Sequence, residues 1–392
     1  MATLKTTVLG IDFENPFILA SAPPTAKIES IDKAFELGWG GAVFKTITPD
    51  NLEMIEASQR YATWKVGSKI CGFENIELLS HLTVQEWLEG IEFLRKKHPT
   101  KVQIASIMAP VIKEEWQKLV ETFNVSAIDA FELNFSCPHG MPEKGIGMAI
   151  GTNAEISARI TKWVTEVAKK PVFVKLSPNV SNIAEIVTAV ENAGADGFAA
   201  INTVQSLMGI DLDTFEPMPN VNGKTTYGGY SGIAVKPIGL RCVAQIRQNS
   251  QLPILGIGGI SNWHDAAEYM CVGSDVVQVC TEVMVNGYAI IGAMRKGLLN
   301  YLERKGFNSP ADLKNRAIIN LSAHETLNKQ KQVYPQVDDT ICAKCGKCVT
   351  ICNESEHSAL SMVDGHIMVN KNACIGCSLC SHICAKSAIK MR

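Results

Sequence analysis

A chain of 392 residues with 46% hydrophobic and 19% charged side chains is long enough for one large domain, such as a barrel of ~250 residues, and a small second one. Its formal net charge of -2 excludes the strongly basic surface that nucleic acid or an anionic membrane face recruits. Met1-Ala2-Thr3-Leu4-Lys5 opens without an apolar signal segment, and no apolar run nears 18 residues, so the expectation is a cytoplasmic protein without membrane contact whose thiols stay reduced.

Before residue 305, short apolar runs alternate with amphipathic stretches. Strands are predicted at 17–20, 42–45, 102–107, 128–133, 172–176, 197–201, 253–256 and 276–280, and helices at 31–37, 84–97, 113–123, 154–169, 183–193, 234–247, 263–270 and 287–304. Eight strands, each followed by a helix, predict an α/β fold, a (β/α)8 TIM barrel over residues 1–301. An open doubly wound sheet shows the same alternation, and counting elements leaves it as the alternative. Neither nucleotide fingerprint is complete. Ser261 stands where the dinucleotide pattern needs its third glycine, and Met218 where a phosphate loop ending in Gly223-Lys224-Thr225 needs its first.

A barrel places its chemistry at the carboxyl ends of its strands, and polar residues gather there. Strand two runs into Lys45-Thr46, strand four into Asn134-Phe135-Ser136-Cys137-Pro138-His139-Gly140, strand five into Lys175, strand six into Asn202-Thr203, strand seven into Gly258-Gly259 and strand eight into Cys280-Thr281. An ammonium ending an apolar strand needs an anion or several acceptors once water is gone. Two of them predict an anionic or electron-rich ligand, against the plainer alternative of lysines reaching solvent. The glycines at 256, 258 and 259 can offer backbone N–H groups to a phosphate.

Cys137 lies in a polar loop. A thiol of ordinary pKa, about 8.5, is mostly protonated near neutrality and can pass a proton to or from a substrate carbon. Residues 141–151, with glycines at 145, 147 and 151, read as a lid. The alternative is a loop cysteine without a role, and His139 either polarises a ligand or caps the turn. Cys71, Cys242 and Cys271 read as small apolar fillers. Between strands two and three, Asn75-Ile76-Glu77 either reads the N–H and C=O edge of a substrate or lies on the surface.

Residues 302–335 are expected to form a helical connector and linker, whose polar stretch 326–340 leads into a module at 336–392 holding eight of the 13 cysteines and none of the 6 tryptophans. The cysteines read Cys342-x2-Cys345-x2-Cys348-x3-Cys352, then Cys374-x2-Cys377-x2-Cys380-x3-Cys384, at a constant offset. This is the ligand spacing of two 4Fe-4S clusters. Soft thiolates suit iron, three converge on one cluster from a tight loop, and the fourth reaches the other. Zinc sites pair CxxC knuckles instead, and a disulfide framework conflicts with a reducing compartment. Asn353 and Ala385 stand where a proline commonly follows the fourth cysteine, a departure that removes no ligand. Ser358-Ala359-Leu360-Ser361-Met362 and Ser387-Ala388-Ile389-Lys390-Met391 echo one another, and Asp364-Gly365 signals a hairpin. The module reads as an internally duplicated ferredoxin-like domain through which electrons pass.

Taken in order, Lys45-Thr46, Asn75-Ile76-Glu77, Asn134 to Gly140, Lys175-Leu176-Ser177-Pro178-Asn179, Asn202-Thr203, Ser231-Gly232, Gly256 to Ile260 and the double cysteine repeat resemble the dihydropyrimidine dehydrogenase family over nearly the whole chain. The likeness extends to the catalytic subunits of the bacterial NAD-dependent enzymes and the C-terminal half of the eukaryotic ones, within the dihydroorotate dehydrogenase-like superfamily. Asn134-x-Ser136-Cys137-Pro138 alone is shared with class 1 dihydroorotate dehydrogenases. The resemblance implies an FMN barrel that reduces uracil or thymine at C5=C6. Ala20, Lys45, Thr46, Lys175, Ser231, Gly232, Gly258, Gly259, Cys280 and Thr281 would hold FMN, the glycines and Thr281 on its phosphate. Asn75, Glu77, Asn134, Ser136, Asn202 and Thr203 would bind the pyrimidine, and Cys137 would protonate C5 while the flavin gives hydride to C6. NADH would act only through a partner, an NADH-oxidising flavoprotein subunit, in a heterotetramer. Two alternatives stay open: an oxidoreductase acting on dihydroorotate or another cyclic amide, and a non-catalytic electron-transfer subunit.

Overall fold

The computed structural model describes residues 2–52, 55–135, 147–330, 332–355 and 357–392. The chain divides into two compact units, Met1–Asn320 and Leu321–Arg392.

In the first unit eight parallel strands close into a barrel in chain order: β1 Phe17–Leu19, β2 Gly41–Val43, β3 Val102–Ile107, β4 Ala130–Asn134, β5 Val172–Leu176, β6 Gly197–Ala200, β7 Ile254–Ile257 and β8 Val276–Val279. Helices α1 Ile28–Leu37, α2 Val84–Lys97, α3 Lys113–Asn124, α4 Ala154–Thr165, α5 Ile183–Asn192, α6 Lys236–Asn249 and α7 Trp263–Cys271 connect successive strands, and α8 Ile290–Lys305 follows the last. Pairing of β8 with β1, Val277 opposite Phe17 and Val279 opposite Leu19, closes the circle and excludes an open sheet.

The strands read as unbroken apolar runs because both faces are buried. Ile18, Val43, Ile104, Phe173, Leu255 and Val276 form one cluster, joined by Val8 and Phe13 from the hairpin Thr6–Val8 and Ile11–Phe13. Phe17, Leu19, Ala42, Phe131, Val174 and Val277 belong to a second cluster shared with the helices. Helix boundaries have local causes. Thr83 and Glu86 cap the start of α2 reciprocally, and Gly38 ends α1 at φ +105, where a side chain is penalised.

Several predicted boundaries shift by one to four residues, and two of the shifts have a local cause. Strand 42–45 stops at Val43, because the Lys45 N–H bonds to Thr25 O instead of a neighbouring strand. The last helix begins at Ile290, since Thr281–Asn286 makes its own short helix, ended by Gly287 at φ +78. The sequence also carries no sign of an antiparallel sheet in which Val204–Ser206, Gly228–Ser231, Lys69–Asn75 and Tyr61–Val66 pair in that order.

The second unit joins Pro335–Val337 to Ile389–Met391 and folds Leu360–Val363 onto His366–Val369. Asp364 and Gly365 both take positive φ, +49 and +78, as a tight hairpin turn requires. The sequence echo is structural: Ser358 and Ser387 are left-handed at φ +41 and +51. Helices Lys347–Glu354 and Leu379–His382 each begin beside the third cysteine of a set. Leu360, Ile367, Cys380 and Ile389 form the small core. Among the described residues no helix is long and apolar enough to cross a membrane.

Candidate active site

The carboxyl ends of the strands and the antiparallel sheet enclose a cavity of about 470 Å³. Ala20, Lys45, Thr46, Asn75, Glu77, Asn134, Lys175, Asn202, Thr203, Ser231, Gly232, Gly258, Gly259, Cys280 and Thr281 all line it. Ser136, Cys137 and His139 lie outside the described residues.

Both strand-end lysines are buried and both are paired. Lys45 Nζ lies 2.8 Å from Glu77 Oε2, and Lys175 Nζ lies 3.3 Å from Glu132 Oε1. The alternative of lysines reaching into solvent therefore fails. Glu77 also accepts a 2.7 Å hydrogen bond from the Tyr61 hydroxyl and has Arg60 Nε at 3.5 Å. Burial alone pushes the Glu77 carboxyl up, but the Lys45 ammonium, with Tyr61 and Arg60, outweighs it and holds the group below its ordinary value. Burial pushes the Cys280 thiol up to about 11 against the pull of Lys175 and Lys45, so it is a neutral thiol near pH 7.

A chain of hydroxyls and carboxamides crosses the ends of five strands. Asn202 Nδ2 donates to Asn134 Oδ1 at 3.0 Å, Asn134 Nδ2 donates to Thr46 Oγ1 at 2.9 Å, and Thr46 Oγ1 lies 3.0 Å from Ser106 Oγ and 3.1 Å from Ser21 Oγ. The Thr203 N–H donates to Asn202 Oδ1 at 2.8 Å. Each bond fixes which end of an amide is donor and which acceptor. Asn75 is oriented from the antiparallel sheet, its Nδ2 donating to Gly229 O at 3.2 Å and its Oδ1 accepting from Glu77 N at 3.3 Å.

After β7, Gly258 and Gly259 turn at φ +123 and +69. A Cβ on Gly259 would stand 2.6 Å from Lys236 N and 2.9 Å from Gly232 O, and one on Gly258 would stand 3.1 Å from Ile201 Cγ1. Thr281 Oγ1 donates to Ser231 Oγ at 2.8 Å beside them. Bare backbone beside the first turn of α6 suits a phosphate ester.

In the second unit, Cys352 lines a small cavity together with Cys374, Cys377 and Cys380. The last cysteine of the first set thus joins the first three of the second, the exchange expected of paired clusters. All twelve described cysteines are free thiols, which removes the disulfide alternative for them.

Sequence reading missed Ser21, Ser106, Tyr61, Arg60 and Glu132 as neighbours of the site. For Glu132 a signal existed: it lies two residues before Asn134, hence on the same face of β4.

The pattern of the dihydroorotate dehydrogenase family matches residues 3–302, and that of a 4Fe-4S dicluster domain matches residues 335–391. The chain is 37% identical over 400 residues to the NAD-dependent dihydropyrimidine dehydrogenase subunit PreA of Escherichia coli (strain K12), covering 99% of this chain and 95% of that one. It is 36% identical over 346 residues to the chloroplastic dihydropyrimidine dehydrogenase (NADP(+)) of Arabidopsis thaliana, 85% of this chain and 81% of the other. Similarity to the catalytic subunit of dihydroorotate dehydrogenase B (NAD(+)) of Pyrococcus abyssi is 37% over 310 residues, 79% of this chain and 97% of that one.

Proposed function

The chain belongs to the dihydroorotate dehydrogenase family, as an oxidoreductase that also carries a 4Fe-4S dicluster domain, and on that premise we propose that it reduces the C5=C6 bond of uracil and thymine. The observation that carries this reading is the set of oriented carboxamides, Asn75, Asn134 and Asn202, lining one cavity, in a chain whose relative along 99% of its length is named a dihydropyrimidine dehydrogenase subunit. A pyrimidine ring presents N–H donors and C=O acceptors side by side, and carboxamides match both senses.

Other residues of the same cavity fit FMN: glycine backbone and Thr281 would hold its phosphate, and Ala20, Lys45, Thr46, Lys175, Ser231, Gly232 and Cys280 would hold the rest of it. Bound there, FMN would supply the hydride for C6 and the means of pairing single electrons received from the clusters. The chain's own residues do the rest. Asn75, Glu77, Asn134, Ser136, Asn202 and Thr203 hold the pyrimidine by its polar edge. As the C5=C6 π pair moves to C5, negative charge develops toward the C4 oxygen, and the amide N–H groups stabilise it. Cys137 gives its thiol proton to C5, so one proton and one hydride are added across the bond.

Cys342, Cys345, Cys348 and Cys384 would hold one 4Fe-4S cluster, and Cys374, Cys377, Cys380 and Cys352 the other. NADH is oxidised by a partner flavoprotein subunit, in a cytoplasmic heterotetramer that degrades pyrimidines. Iron and flavin analysis, followed by uracil, thymine, orotate and a cyclic imide side by side with an artificial electron donor, tests the proposal. Turnover of uracil or thymine supports it, and exclusive use of orotate overturns it.

A further inference from the structure

Beneath the cavity lies a carboxylate that the proposed reaction does not use. Glu132 sits midway along β4 and is fully buried. A carboxylate removed from water costs several kcal/mol unless it is paired, and its partners come from two other strands. Lys175 Nζ of the adjacent β5 lies 3.3 Å from Oε1. Gln278 of β8, on the opposite side of the barrel, donates from Nε2 to Oε2 at 2.7 Å. Lys175 and Gln278 line the cavity, whereas Glu132 does not.

The hydrogen bond orients the Gln278 amide. With Nε2 committed to the carboxylate, Oε1 is the remaining acceptor, and it is buried without a hydrogen-bond partner among the described residues. An acceptor left unmet in the interior costs about 1–3 kcal/mol, so it favours a ligand that brings a donor. Lys175 and Gln278 therefore face the ligand, and the anion behind them sets the charge they present.

Resting on the flavin reading above, the structure assigns Glu132, together with Gln278, as a positioning residue that holds Lys175 and offsets its charge beneath the bound redox group. The consequence has a sign. An intact pair presents an almost neutral floor, and a group that gains negative charge on reduction gains little from it. Replacing Glu132 by glutamine keeps the shape and leaves the ammonium uncompensated, so the reduced form binds more tightly relative to the oxidised one and the midpoint potential rises. Replacing Lys175 by methionine does the opposite.

The test is the midpoint potential of the flavin in the purified full-length chain, measured for wild type, Glu132→Gln, Lys175→Met and the double variant. Expected are a rise for Glu132→Gln of at least a tenfold shift in relative affinity, ~30 mV for a two-electron couple, a fall for Lys175→Met, and a return toward wild type in the double variant. If Glu132→Gln fails to fold, the double variant, which leaves no buried charge unpaired, folds and keeps flavin. An unchanged or lowered potential in Glu132→Gln, or the same folding failure in the double variant, overturns the assignment. Wild type that holds flavin but ignores uracil and thymine sinks the substrate proposal alone, and the potential comparison still decides this one. Wild type that refuses FMN overturns both.

Discussion

The pair between Lys45 and Glu77 joins the barrel to the segment that follows the antiparallel sheet, and Glu77→Gln tests what it contributes. The substitution preserves volume but takes the anion from an ammonium 2.8 Å away whose side chain is 9% exposed. Coulomb's law at an effective dielectric of ~20 gives roughly 6 kcal/mol of gross attraction at that distance. Much of this offsets desolvation, and breaking a buried pair typically costs about 3–5 kcal/mol. With Glu77 11% exposed, the lower end applies, about 3 kcal/mol. All 6 tryptophans precede residue 264, so urea unfolding followed by their fluorescence reports the barrel unit. Lys45→Met combined with Glu77→Gln should recover at least half of the loss, since no buried ammonium is then left alone and Arg60, the other cation beside Glu77, is 34% exposed. Because the folded Glu77 carboxyl is held below its ordinary 4.5, its contribution is present above that value and disappears as pH falls through the lower folded one, and the gap between wild type and variant closes in acid. A Glu77→Gln protein within about 0.5 kcal/mol of wild type at pH 7 refutes the reasoning.

Gly259→Ala forces a side chain into φ +69 and against Lys236 N at 2.6 Å. It should weaken FMN binding at least ~10-fold, given a left-handed penalty of about 1–2 kcal/mol before any clash, as read by flavin titration of the apoprotein. Cys352→Ala removes the ligand that the first cysteine set lends to the second, so analysis should find loss of the cluster held by Cys374, Cys377 and Cys380 with the other spectroscopically intact. Cys137→Ala should leave reduction of FMN by an artificial donor unchanged and lower uracil turnover by ~10²–10⁴-fold; normal turnover rules out the thiol as proton donor.

The barrel was legible because its strands are buried on both faces and so form apolar runs that end abruptly in polar residues. Those endings, Lys45, Asn134, Lys175, Asn202 and Gly258, meet in one cavity because a closed parallel barrel brings every carboxyl end to one side. The crossing of Cys352 to the second set was legible for a different reason, since the x3 step carries the fourth thiolate beyond its own loop. The antiparallel sheet was not. Tyr61–Val66 exposes five of its six residues, so it shows neither an apolar run nor an alternation. The pairing of Glu132, unlike its place on the strand, was hidden by distance: its partners, Lys175 and Gln278, come from β5 and β8, and no local pattern announces such contacts.

That sheet couples the two halves of the site. Lys69–Asn75 and Gly228–Ser231 pair with Asn75 opposite Gly229 and Phe73 opposite Ser231, so the residues proposed for substrate, Asn75 and the following Glu77, share a register with those proposed for FMN, Ser231 and Gly232. Two glycines keep the strands that close. A Cβ on Gly72 would stand 1.8 Å from the Tyr230 hydroxyl, and one on Gly228 would stand 2.6 Å from Glu74 Cγ. Shifting the pairing by one residue would turn Ser231 away from Thr281, its 2.8 Å partner, and would move Asn75 off Gly229 O. The anions behind the two lysines then divide the work. Glu132 belongs to the barrel wall, whereas Glu77 follows the sheet strand Lys69–Asn75 and meets Lys45 from there, so the register that orients Asn75 also places the anion beside Lys45.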